Sequence, residues 1–485
     1  MHSKFYAIIA LLIFGWICYS QDIYANLTQI LSKIHKICAN ITTTQRIFLS
    51  KRLSIRSLAI PIFFEMFLRY LSLMLNTYMV SKHSSYLVGS MGAGNQVLDL
   101  FITIFSFLSV GCSVVIAQAI GAKDSNLASK AMHQSLFLNS LLGLMCGIII
   151  LWHGEVLLRA LNVPQEQFSQ AHIYLKMLGI CLFFDALGIV LASIVRVYNM
   201  AYFVTLTSLV MNIISVCCNY YTLNHTNWEL WGVGLATIIG RIVAILILLC
   251  VIIFKLKIKI YFKEFFKFER EVLSKVLRIG SFSAGENLIW IVQYTIALSF
   301  VYSLGAENAS VQTIYFQISM LIMLTGQAFS IANEIIIGKL VGAHYLEIAY
   351  KHTWRVLYFS IMATFIVVIT FFVGKHFIMD RLALDSALRA IMLPLFTLSI
   401  VLEIGRTFNI VMVNSLRASG DAKFPFFAGV VFMLGVSLPV GYTLCFHFGL
   451  GIVGIWIGFC ADEWLRGLCN AWRWKSRKWQ GKAVV

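Results

Sequence analysis

The stretch SLRASGDAKFPF, Ser415 to Phe426, decides how the whole chain is read. It is a basic, glycine-containing turn ending in Phe-Pro, set between two apolar runs. A distorted copy, SIVRVYNMAYFV, occupies Ser193 to Val204. Arg196 and Arg417 stand 221 residues apart, and the same offset recurs elsewhere. It brings Gly121-Ala122 of IAQAIGAKDSNLASK onto Gly342-Ala343 of IGKLVGAHYLEIAYK, Ala128 onto Ala349 and Lys130 onto Lys351. It also brings Glu65 of LAIPIFFEMF onto Glu286 of RIGSFSAGEN. One constant offset through separated landmarks marks a tandem duplication.

Composition says what is duplicated. Hydrophobic residues make up 60% of the 485 and charged residues 12%. The mean hydropathy is +0.84, outside the usage of soluble domains. Apolar runs recur that match the roughly 20 residues needed to cross a bilayer core. Twelve spans are predicted, at 57–80, 97–119, 132–152, 174–195, 205–222, 232–254, 279–302, 312–337, 356–373, 390–413, 425–446 and 450–470. Runs of this kind lack the alternation of a membrane barrel, so the spans are helices. The expected fold is an all-α polytopic membrane protein, twelve transmembrane helices in two pseudo-symmetric six-helix bundles. Eleven cysteines are present, with no C-x-x-C pair and no zinc spacing, and they read as small apolar residues.

Lysine and arginine orient the spans. With both ends cytoplasmic, 27 of the 38 fall in cytoplasmic segments, five in the opposite loops, and the rest within spans or at Lys4. This distribution also accounts for the net charge of +17 without a nucleic-acid partner. The densest basic run, KLKIKIYFKEFFKFER at 255–270, suits a linker lying on anionic lipid. The expected organisation is an N-terminal extension at 1–52, an N-lobe at 53–254 and a linker at 255–275, then a C-lobe at 276–470 and a basic cytoplasmic tail at 471–485. In the extension, FYAIIALLIFGWICY at 5–19 is short for a span and has no convincing cleavage site after it; an interfacial helix or cytoplasmic extension is expected. Six spans per half put both halves the same way up. The pseudo-twofold axis then runs along the membrane normal, and a binding cleft is expected near the midplane between the bundles.

The residues resemble a known family. LRASGDAKFP is similar to the L-R-G-x-G-D-[TA]-[RK]-x-P turn of multidrug and toxic compound extrusion transporters. LAIPIFFE and RIGSFSAGE resemble that family's openings of helices one and seven, and GIVGIWIGFCADEWLRG with the following RWKSRKW resembles the last helix and tail of a bacterial branch. The resemblance runs from about Ile55 to Trp479. It implies a secondary antiporter in the plasma membrane, the inner membrane in bacteria, exporting organic compounds against H⁺ or Na⁺ without a cofactor. Two positions depart from the family pattern. Asn76 stands where some members carry an Asp on helix one, and Arg406 where many carry an acid on helix ten.

Charges in the hydrocarbon cost about 2.5–3.5 kcal/mol each on insertion scales, so they are functional candidates. They are Glu65, Arg69 and Asp185 in the first half, and Glu286, Glu403 and Arg406 in the second. Helical spacing pairs Glu65 with Arg69 at i,i+4 and Glu403 with Arg406 at i,i+3. Asp185 and Glu286 are then left without partners, able to load a proton or to hold Na⁺ with neighbouring oxygens. The coupling candidates are therefore Glu286, Asp185, Glu65 and Glu403, with Arg69 and Arg406 as pairing charges and Glu286 as the expected Na⁺ ligand. Buried Glu–Arg pairs also serve simply to fix helix packing. Asn76, Trp290, Gln293, Tyr294, Asn333 and Glu334 are candidates to line a substrate path. Glu463 and Arg466 read as a structural i,i+3 pair.

Two other readings stand beside efflux. A lipid-linked saccharide flippase of the same superfamily would favour a basic cavity, whereas the charges here are near balance. An integral-membrane transferase would need a catalytic constellation that His133, His344 and His352 do not form. The expected partners are a small organic substrate and the lipid bilayer, with the chain acting as a monomer.

Overall fold

The computed structural model describes residues 54–161, 163–258, 262–265, 267 and 269–485. The extension at 1–52, with its hydrophobic segment at 5–19, lies outside the described residues. Twelve long helices follow: α1 (Ile55–His83), α2 (Ser85–Gly121), α3 (Ser125–Ala160), α4 (Gln165–Val197), α5 (Ala201–His225) and α6 (Glu229–Cys250), then α7 (Arg270–Ser303), α8 (Ala306–Gly342), α9 (Leu346–Val373), α10 (Ser386–Ala418), α11 (423–447) and α12 (Gly451–Lys475). α6 runs on through a π turn at Val251–Lys255, and α11 contains π segments at Val430–Ser437 and Thr443–His447. The helices overrun the apolar spans read from sequence because their polar ends extend past the hydrocarbon.

Ten of these helices are long and apolar enough to cross a membrane; α7 and α12 are not among them. Both carry a polar stripe. On α7, Ser283, Glu286 and Gln293 are buried, and on α12, Asp462, Glu463, Arg466 and Asn470. These residues recur at helical spacing, so each stripe points into protein rather than lipid.

Local chemistry sets the helix starts. The carboxylates of Asp124 and Asp385 accept from Leu127 N and Leu388 N, both at 2.9 Å, capping α3 and α10. The paired turns follow the repeat. Gly420 sits at φ +93° between α10 and α11, and Asn199 at φ +63° between α4 and α5. Glycine adopts this left-handed conformation freely, and asparagine is among the few other residues that tolerate it.

The first six helices share one core, including Val80, Phe105, Tyr174 and Leu230. The last six share another, including Tyr315, Phe396 and Trp456. α1 and α2 of one lobe pack against α8 and α7 of the other. The seam is tightest where α2 and α8 end: a Cβ on Gly121 would run into the Lys339 carbonyl, and one on Gly342 into the Gln118 carbonyl. Gln118 donates to the Ala418 carbonyl at 2.7 Å, and Lys339 to Asn199 Oδ1 at 2.8 Å, so each lobe holds the other's turn. The tail closes over the same seam. Trp474 and Trp479 stack at 4.1 Å, and Val484 N donates to Gln118 Oε1 at 2.9 Å. All of this lies at the end of the bundle where the basic loops gather, termed here the basic face.

Candidate functional site

Between the lobes lies a cavity of about 900 Å³, lined from α1, α2, α4, α5 and α6 and from α7, α8, α10, α11 and α12. Most lining positions fall in the middle of the helices or in the half away from the basic face, as with Tyr174, Val233, Tyr294 and Phe316. The glycine crossing shuts the other end.

Each candidate carboxylate has a guanidinium partner, and most partners lie on other helices than the sequence suggested. Glu65 accepts two bonds from Arg196, at 3.1 and 2.5 Å. Glu286 accepts from Arg417 at 2.7 Å and lies 3.6 Å from Arg466. These are one interaction made twice, since Arg196 and Arg417 are the arginines of the repeated turn. The expected Glu65–Arg69 pair is therefore corrected: the turn arginine reaches across from α4 and takes the carboxylate. Glu286 is likewise not left without a partner, nor is Asp185, which pairs with Arg241 of α6 at 2.7 Å. Arg406 does pair with Glu403, at 2.9 Å, and shares Ser319 Oγ with it.

In the C-lobe the pairs fuse. Arg466 contacts Asp462 at 3.0 Å, Glu463 at 3.2 Å and Glu286 at 3.6 Å. Arg406 contacts Glu463 at 3.5 Å. A continuous ionic chain thus runs Arg417–Glu286–Arg466–Asp462/Glu463–Arg406–Glu403. It holds four carboxylates and three guanidiniums, where each N-lobe pair holds one of each. Two of its buried oxygens, Glu403 Oε2 and Asp462 Oδ1, have no hydrogen-bond partner.

Asn76, Trp290 and Tyr294 line the cavity. Gln293, Asn333 and Glu334 lie behind its wall. Gln293 is fully buried and reaches Asp462 at 3.5 Å, and Asn333 bonds Ser415 Oγ at 2.8 Å. Gln293 and Asn333 are thereby turned into the C-lobe and away from the cleft, and Glu334 is buried. Sequence reasoning missed Arg196, Arg241, Arg417, Asp99 and the functional setting of Glu463 and Arg466. A signal for two of them was present: Glu65 to Arg196 and Glu286 to Arg417 are each 131 residues, so the pairing itself repeats. Among the described residues, no group of three or more His, Cys, Asp and Glu could hold a metal ion.

The MatE family pattern matches this chain twice, over residues 61–221 and 283–443. YisQ, an uncharacterized transporter of Bacillus subtilis, is 31% identical over 441 residues, covering 90% of this chain and 96% of that one. The chain belongs to the MatE family. A probable multidrug resistance protein, NorM, of Thermotoga maritima is 24% identical, covering 88% of this chain and 93% of its own length. A crystal structure of MATE in the straight conformation superposes with a TM-score of 0.81 at 20% identity, covering 87% of this chain and 95% of that one. As a MatE protein, the chain is a multi-pass membrane transporter of small organic compounds and not an enzyme, which removes the transferase reading.

Proposed function

We propose that the protein exports organic compounds by alternating access, coupled to inward movement of a cation that loads in the C-lobe network. The observation that carries this is the odd carboxylate: four acids against three arginines, in a network that reaches the cavity wall through Glu286 and Glu463, with two oxygens behind that wall, Glu403 Oε2 and Asp462 Oδ1, unpartnered. An exchanger needs a group whose charge changes between its two faces, because a ligand shifts the equilibrium only by binding one state better. A proton on one of these carboxylates neutralises the odd charge. Three guanidiniums in the same network oppose a bound Na⁺, which favours H⁺.

The basic face is cytoplasmic in this reading, because lysine and arginine concentrate there. Both termini then lie inside, and the cavity faces outward. The lobes, 53–254 and 276–470, rock about the seam, joined by 255–275. A single chain encloses the whole cavity, so a monomer suffices.

The test is transport in proteoliposomes with imposed H⁺ or Na⁺ gradients. Glu286→Gln keeps the shape and the bond to Arg417 but fixes the network as if protonated. The expected result is wild-type export driven by the H⁺ gradient and at least a tenfold loss of that drive in the variant. An unchanged gradient response in Glu286→Gln moves the coupling site elsewhere. For orientation, thiol labelling of Lys123→Cys and Ala309→Cys must give opposite sides.

A further inference from the structure

Five arginines reach the cavity wall: Arg69, Arg241, Arg406, Arg417 and Arg466. Four of them hold carboxylates, at 2.7 Å (Arg241 and Arg417), 2.9 Å (Arg406) and 3.0 Å (Arg466). Arg69 holds none. Among the described residues it makes no ion pair, and its side chain is exposed within the cavity. Asp99, on α2, interacts with it electrostatically but does not reach salt-bridge distance. A guanidinium halfway along a membrane helix with no carboxylate at salt-bridge distance is costly unless water or a ligand serves it. The same cavity supplies an aromatic wall. Trp290 and Tyr294 stack in parallel at 5.7 Å, and Phe316 lies 4.7 Å from Tyr294.

We infer that Arg69 determines substrate specificity by binding an oxyanion, so that the transported class is aromatic compounds bearing a carboxylate, sulfonate or phosphate. The planar five-donor fork matches such groups two bonds at a time, and an ammonium or a neutral drug offers it nothing to accept. The ring system of the substrate lies against Trp290, Tyr294 and Phe316, where a flat aromatic face is complementary. The C-lobe arginines cannot take this role while their carboxylates occupy them. This inference rests on the transporter reading but not on coupling, so it is tested without any gradient.

The experiment is fluorescence polarisation with purified full-length protein, using 5-carboxyfluorescein as the anionic probe and ethidium as the cationic one. Wild type is expected to bind carboxyfluorescein, and Arg69→Gln to weaken that binding at least tenfold while leaving ethidium binding and thermal midpoint unchanged. Arg69→Lys, which keeps the charge but loses the fork, is expected to fall between them. No binding of carboxyfluorescein by wild type, unchanged binding in Arg69→Gln, or an equal loss for both dyes each overturns the assignment. Failure of gradient-driven export with these binding results intact would sink the coupling proposal alone.

Discussion

The two lobes descend from one six-helix unit, yet they manage charge differently. In the N-lobe, Glu65–Arg196 and Asp185–Arg241 are separate pairs, each complete in itself. In the C-lobe the corresponding slots have changed polarity. The position of Asp185 is held by Arg406 and that of Arg241 by Asp462, both at the 221-residue offset. Arg406 and Asp462 do not bond each other; Arg406 holds Glu403 and Glu463, Asp462 holds Arg466, and Arg466 ties the equivalent of the Glu65 pair into the same network. The architecture accepts these two positions in either polarity, paired with each other in the N-lobe and with other neighbours in the C-lobe. What differs is whether removing one charge strands its partner or only redistributes it.

Separate pairs must fail harder, and the largest expected effect is there. Asp185→Asn leaves Arg241 without a carboxylate and is expected to cost about 2.5 kcal/mol, below the figure for a fully buried pair because Arg241 is 25% exposed while Asp185 is buried. The exchange Asp185→Arg with Arg241→Asp is expected to recover most of this, because it returns opposite charges to the same two positions, which the C-lobe fills in that polarity. Unfolding in mixed micelles measures both; an exchanged variant no better than Asp185→Asn would mean the slots are not equivalent. Next come positions where the lobes are alike. Gly121→Ala and Gly342→Ala each push a methyl into an opposing backbone carbonyl, and each is expected to lose about 2 kcal/mol from overpacking. Gly92→Ala, with open space around it, serves as the neutral control, and unequal losses would show the seam to be lopsided.

A smaller contrast separates Glu65→Gln from Glu286→Gln. The first takes from Arg196 its counter-charge and one of its two bonds, at a cost of about 1.5 kcal/mol given its partial exposure, and is expected to spare gradient-driven transport. The second is expected to cost less stability, because Arg417 keeps its bond to Asn414 at 3.1 Å, while ending coupling. The same micelle and proteoliposome measurements, run on both variants, decide it: reversed roles would place the working carboxylate in the N-lobe. Smallest of all, Asn76→Ala removes one bond to Asn219, 2.9 Å long. It is expected to change stability by about 1 kcal/mol or less and export less than twofold.

Periodicity and offset made the helices, the duplication and the turns legible, because each is written along the chain. Pairing was harder to read. Glu65 and Arg69 are neighbours on a helix surface, yet Arg69 faces the cavity and the carboxylate turns to a partner 131 residues away. The i,i+4 rule reports which side chains can meet on an isolated helix, not which do when a third is closer. Asp185–Arg241 depends on α4 lying beside α6, which no local pattern states. The offset nevertheless held a clue: Asp185 maps to an arginine and Arg241 to an aspartate, so both positions reverse sign together.

Gln118 and Lys339 stand at the same position of the two repeats, and each grips the opposite lobe's turn. Neither hold can be released while the other keeps the two backbones crossed at Gly121 and Gly342. In the proposed cycle, opening at the basic face would then be a single all-or-none event rather than a gradual parting, and the clasp would act as a clock. In that cycle it would set how long the carrier waits between turnovers, leaving what it binds to the cavity and what drives it to the proposed coupling network.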